Sequence, residues 1–182
     1  MKFYSENPPT NKYSDTWYVT PVGNPSGTAI NPDQLKEVCE AIVDNNPDAV
    51  IILDCVYARM LEPEKTKNLL KGVINNPKVF NRVVLLESFS KTNGICRERL
   101  SYFTAPNKDI YTYMQNAVMS DSAGPPASLN GLAMAFAELN AEEEQQFRKL
   151  HAFWADERRG LWHYLRKHPR FSELFDDDQA NV

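Results

Sequence analysis

"NPDQLKEVCEAIVDNNPDAVIILD", Asn31 to Asp54, places a helical pattern directly before a buried-strand pattern. Asn31 is a natural N-cap, Pro32 fills the first helical position, where no amide bond is lost, and Gln34 is placed to close a capping box. Leu35, Val38, Cys39 and Ile42 then recur at the spacing of one helical face. After the turn, "AVIIL" (Ala49 to Leu53) is a β-branched run without polar alternation, which predicts a strand covered on both faces.

The same alternation continues on either side. Upstream, "WYVTP" from Trp17 predicts a short strand stopped by Pro21. Downstream, "PEKTKNLLKGVINN" carries Leu69, Leu70, Val73 and Ile74 on a helical face, and "VVLL" at Val83 to Leu86 is a further buried strand. Strand, helix, strand, helix, strand is the order of an α/β fold with a mainly parallel sheet flanked by helices. Beyond it, "LSYFTA" reads as another strand, "NKDIYTYMQNAVM" and "PASLNGLAMAFAEL" as helices, and the stretch from Asn140 as a long C-terminal helix. That last helix has glutamates at its positive end, Phe147, Leu150, Trp154, Leu161 and Leu165 along a stripe, and Arg166, Lys167 and His168 where it stops. The expected division is an irregular lead-in over 1–16, a main domain over 17–139, and a connector helix with a frayed tail over 140–182.

Composition narrows the function. The net charge of -4 gives no field to attract nucleic acid or an anionic membrane. No stretch reaches the ~20 apolar residues that span a bilayer, and "MKFYSENPPTNKYSD" lacks the apolar segment of a signal peptide. Three cysteines without C-x-x-C spacing indicate neither a disulfide framework nor a zinc site. Together these predict a soluble, cytoplasmic protein that takes a small molecule. The run Asp176 to Asp178 reads as a solvated tail rather than a metal site.

In an open α/β sheet, ligands gather outside the carboxyl ends of the strands. Polar side chains stand at three such ends: Asn24 in "GNPSG", Asp54 and Tyr57 in "DCVY", and Ser88, Ser90 and Lys91 in "ESFSK", with Arg99 eight residues past the lysine. Taken singly, each has an ordinary reading as a turn, a loop cap or a solvated lysine. Their convergence on one sheet edge argues for a ligand that needs an amine, a carboxylate, a phenol, an amide and a guanidinium. Pyridoxal phosphate is such a ligand, because it takes a lysine in Schiff-base linkage, a carboxylate opposite its ring nitrogen and donors around its phosphate.

"NPSGT", "DCVY" and "SFSKTNGICRER" resemble, in order and spacing, the motifs N-P-x-G, D-x-x-Y and S-x-S-K…R of the fold-type I, class I/II aminotransferases. The resemblance implies a part of the large domain of the pyridoxal-phosphate-dependent transferases, with amino-group transfer between an amino acid and a 2-oxo acid. It further implies that Lys91 is the catalytic residue, bonding the cofactor and carrying the proton at the substrate α-carbon. Asp54 is implied to face the ring nitrogen, Asn24 and Tyr57 the phenolic oxygen, and Ser88, Ser90 and Arg99 the phosphate.

There are departures. Ser101 stands where the family usually has glycine, and Ser26 where threonine is commoner. Only 23 residues precede Asn24, so the family's N-terminal half is missing, and no substrate-carboxylate arginine can be chosen among Arg158, Arg159, Arg166 and Arg170. The chain therefore reads as an incomplete one that exposes apolar surface, and a homo-oligomer or a complementing chain is expected. A decarboxylase or C–S lyase on the same scaffold and a noncatalytic interaction module are the alternative functions.

Overall fold

The computed structural model describes residues 15–24, 26–122 and 126–170. The expected lead-in before Asp15, the frayed tail, Asp176 to Asp178, Pro25 and Pro125 lie outside the described residues.

Three strands run parallel: β1 (Thr16–Val19), β2 (Val50–Asp54) and β3 (Val83–Ser88). Helix α1 (Pro32–Asn45) links the first two, and α2 (Pro63–Ile74) with the short α3 (Pro77–Phe80) links β2 to β3. A four-residue helix, α4 (Phe89–Thr92), follows β3 at once, and β4 (Ser101–Thr104) then pairs antiparallel with β3 in the four-stranded order β1-β2-β3-β4. Between β3 and β4 there is no helix long enough for a crossover, so the chain turns back on itself. Three longer helices complete the described chain: α5 (Lys108–Ser122), α6 (Ala127–Ala137) and α7 (Ala141–Lys167).

Helix α1 begins as the sequence predicts, with Asn31 accepting from the amide of Asp33 at 2.9 Å. The bond goes to Asp33 and not to Gln34, so the closed box expected there does not form. A complete capping box forms instead on α7, where Asn140 takes the amides of Glu142 and Glu143 and Glu143 returns a bond to the Asn140 amide.

The main core lies on one side of the sheet, although Val84, on the other face of β3, is also fully buried. Trp17, Val19, Ile51, Leu53, Val83 and Leu85 face Leu35, Cys39, Ile42 and Val43 of α1 and Leu69 and Val73 of α2. Because the parallel strands advance in one direction across the sheet, right-handed crossovers put α1 and α2 on the same face. This corrects the reading of "AVIIL" as covered on both faces. Ile51 and Leu53 are fully buried, but Val50 and Ile52, pointing the other way, are only half-buried. Tyr18 on that second face is 53% exposed.

Helices α5 to α7 contribute no fully buried side chain among the described residues. Met134 on α6 is 61% exposed, and Leu150, Trp154 and Leu161 of the stripe on α7 are also open to solvent. The amphipathic pattern is present, but only its Phe147 end is covered, by Phe136 of α6, and the rest of the stripe lies open among the described residues.

Burial in the α1–β2 layer pushes the thiols of Cys39 and Cys55 up to about 12. Folding thus keeps both thiols protonated at a pH where the unfolded chain, titrating near 9.0, has lost those protons. The stability they lend is complete below pH 9 and is lost as pH rises from there toward 12. Urea unfolding is expected to show a flat stability from pH 7 to about 8.5 and a decline above it. Cys55→Ala should lessen that slope, and an unchanged slope would count against the thiols as its cause.

Candidate active site

The strand ends do bring several of the sequence-predicted residues together. Asn24 sits in a loop after β1 that closes through Gly27 N to Gly23 O at 3.0 Å and Gly23 N to Thr28 O at 2.9 Å. Gly27 lies at φ 69°, a left-handed conformation that only glycine enters cheaply. From this loop Asn24 Nδ2 donates to the Tyr57 hydroxyl at 3.1 Å. Tyr57 is held by the 3₁₀ turn Ala58–Met60, which it caps. The Nζ of Lys91 lies 5.5 Å from the centre of the Tyr57 ring. Among the described residues that amine forms no ion pair.

Asp54 is the last residue of β2. Its Oδ1 accepts from Val56 N at 3.1 Å and its Oδ2 from the Tyr18 hydroxyl at 2.5 Å. Burial, with the Asp54 carboxylate beside it, pushes the Tyr18 hydroxyl up to about 12. Tyr18 is therefore a donor at any neutral pH. The sequence did not point to it, since in "WYVTP" it is an ordinary strand tyrosine and its partner lies 36 residues away.

The turn that carries Lys91 is braced from several sides. Ser88 caps α4 by accepting from Ser90 N at 3.1 Å and donates its own proton to Leu100 O at 3.1 Å. Ser90 is buried, and its carbonyl accepts from Cys96 Sγ at 2.8 Å. Thr92 Oγ1 donates to Ser88 O, and His151 of α7 meets Thr92 O at 2.6 Å, which assigns a proton to its Nε2. A chain of rings runs from Tyr102 to Phe89, Phe136 and Phe147, with centroids 5.0, 5.1 and 5.8 Å apart. Tyr102 also stands between Glu87 and Arg59, whose Nη1 donates to it at 2.9 Å.

Arg99 is placed differently from the rest. It follows the 3₁₀ turn Cys96–Glu98, is exposed, and is the one non-glycine residue with positive φ, 53°, among the described residues. For an L-residue this costs ~1–2 kcal/mol, which the buried Leu100 and the β3–β4 pairing beyond it must offset. No hydrogen bond or ion pair joins Arg99 to Lys91 or Asp54 among the described residues. The family's glycine position, Ser101, begins β4 opposite Ser88 without strain, because the left-handed residue is Arg99.

A cavity of about 1000 Å³ lies elsewhere, between α2, α4, α6 and α7, lined among others by Leu70, Phe89, Phe136, Arg148 and Arg158. It does not include Asn24, Asp54, Tyr57 or Lys91. Arg159 also lines it and pairs with Asp156, while Arg166 stacks on Trp162.

Residues 4–172 match the family model for aminotransferase class I and II. The chain belongs to that family. Class I and II aminotransferases depend on pyridoxal phosphate and act on amino acids and 2-oxo acids. Among curated relatives, this aminotransferase-family chain is 27% identical over 133 residues to a histidinol-phosphate aminotransferase of Staphylococcus haemolyticus, covering 73% of the chain and 33% of the relative. It is 29% identical over 127 residues to an aromatic amino acid aminotransferase of Mycobacteroides abscessus, covering 70% and 33%. It thus spans about a third of the length of these relatives. Its fold matches the aromatic aminotransferase from Pyrococcus horikoshii with a TM-score of 0.66 at 22% identity, over 86% of this chain and 40% of that one. The aspartate aminotransferase of Thermus thermophilus with maleate gives 0.66 at 15% identity, over 85% and 38%. The four-stranded sheet with its flanking helices and long final helix is thus part of the aminotransferase large domain. Among the described residues no helix is long and apolar enough to cross a membrane.

Proposed function

We propose that this chain is the cofactor-holding part of a pyridoxal-phosphate-dependent aminotransferase that moves an amino group between an amino acid and a 2-oxo acid. The observation that carries the reading is the meeting of Lys91, Tyr57 and Asn24 at the strand edge where Asp54 also ends β2. The donor set suits the cofactor: one amine free of ion pairs among the described residues, one carboxylate, and a phenol already oriented by an amide.

When bound, pyridoxal phosphate supplies an aldehyde carbon and a ring that can accept an electron pair. The residues do the rest. Lys91 would hold the cofactor through its Nζ, the aldehyde oxygen leaving as water, and would carry the proton at the substrate α-carbon. Asp54 would place its carboxylate toward the ring nitrogen and favour a proton there. Asn24 and Tyr57 donate toward the phenolic oxygen. Arg99 attracts the phosphate, and the strain at its backbone is consistent with a side chain held for use. Ser88 and Ser90 complete that end, with Ser88 turning its hydroxyl away from Leu100 O to donate.

A second copy or a complementing chain is part of the proposal, because the open apolar faces of α5 to α7 need cover. The free cysteines suit a reducing compartment such as the cytosol. The test is chemical. The purified chain, mixed with pyridoxal phosphate and reduced with borohydride, is expected to carry one cofactor mass on the peptide containing Lys91. A chain whose mass is unchanged, or is raised only on scattered surface lysines, overturns the proposal.

A further inference from the structure

We propose that Tyr18 is a positioning residue that fixes the Asp54 carboxylate for the cofactor's ring nitrogen. This rests on the function proposed above and extends it to a residue outside the three motifs.

The argument starts from the ladder. Tyr18 pairs with Ile52, two positions before Asp54, so in a sheet of period two both side chains stand on the same face. Tyr18 therefore leans along the sheet and its hydroxyl ends on Asp54 Oδ2. The other oxygen, Oδ1, is taken by Val56 N. One donor on each oxygen fixes the plane of the carboxylate, whose terminal torsion is otherwise broad. A carboxylate has about four acceptor positions, so two remain for a ligand.

Packing alone does not account for a tyrosine here. The residue is 53% exposed and lies on the face that α1 and α2 leave open, where any strand former would serve. What distinguishes tyrosine from phenylalanine at this place is the one bond to Asp54. The hydroxyl, pushed up to about 12, stays protonated well past neutral pH, so the tie persists wherever amine chemistry is carried out.

The experiment compares the wild-type chain, Tyr18→Phe, Asp54→Ala and the double variant. Pyridoxal phosphate is titrated by its visible absorption, with Lys91→Ala as the blank, and circular dichroism confirms that each variant folds. Tyr18→Phe is expected to weaken binding about tenfold in the Asp54 background and to have no effect in the Asp54→Ala background. Unchanged affinity in Tyr18→Phe, or an equal loss in both backgrounds, overturns the inference while leaving the function intact. A second readout needs no cofactor: Tyr18 and Tyr102 both titrate high, and in an ultraviolet alkaline titration one of the two should vanish in Tyr18→Phe and shift downward in Asp54→Ala, while the other stays in place. Failure of that shift also overturns it. If the wild-type chain shows no absorption beyond the blank, the proposed function falls first and this role falls with it.

Discussion

Lys91→Ala is expected to abolish covalent attachment of pyridoxal phosphate while leaving the fold unchanged. Lys91 is exposed on a four-residue helix, and its ring contact with Tyr57 is its one described interaction. Exposed substitutions of this kind change stability by no more than about 0.5 kcal/mol. The chemical loss is total by comparison, because among the described residues no other group at this strand edge is an amine. Any residual amino transfer should fall by about 10⁴-fold or more, since both a nucleophile and a proton carrier disappear together. Borohydride reduction followed by mass measurement reads the result directly. Lys71→Ala, on α2, serves as the control and should retain the label. A labelled Lys91→Ala chain, with the mass on another lysine in the same yield, would refute the assignment.

The second large effect concerns the sheet. Leu53 of β2 is wholly buried, paired in register with Val19 on one side and Leu85 on the other, and covered by α1 and α2. Leu53→Ala removes three methyl or methylene equivalents and leaves a cavity that two rigid neighbouring strands cannot fill, at a cost of about 2–5 kcal/mol. Domains of this size are stable by ~5–15 kcal/mol, so this one change removes a substantial share of the total. The urea midpoint is expected to drop markedly at constant slope. Leu161→Ala on α7 gives the contrast: that side chain is 59% exposed, and the change should stay within about 0.5 kcal/mol. Equal costs for the two would mean that the core is not centred on the β2–α1 layer.

The chain's order of elements was legible because its patterns are local. Pro32, Asn31 and the spacing of Leu35, Val38, Cys39 and Ile42 settle α1 within one segment. The candidate site was legible for a different reason: topology alone places Asn24, Asp54 and Lys91 at or beyond the carboxyl ends of strands that run the same way. What escaped depends on distance in space. "AVIIL" shows the same apolar run whether one face or two are covered, and only the strand order decides between them. Tyr18 and His151 act on partners 36 and 59 residues away, and nothing in their own neighbourhoods marks them. The stripe on α7 was read correctly as apolar, yet periodicity cannot say whether a described element lies against it.

The rings from Tyr102 through Phe147, together with the bond from His151 to Thr92, make the lysine turn and the long helix a single lever. A tilt of α7, by whatever docks on its bare side, would be delivered at Phe89 and Thr92, which flank the amine in sequence. The backbone on both sides of Lys91 thus rests on a helix far along the chain, and its position depends on where that helix lies.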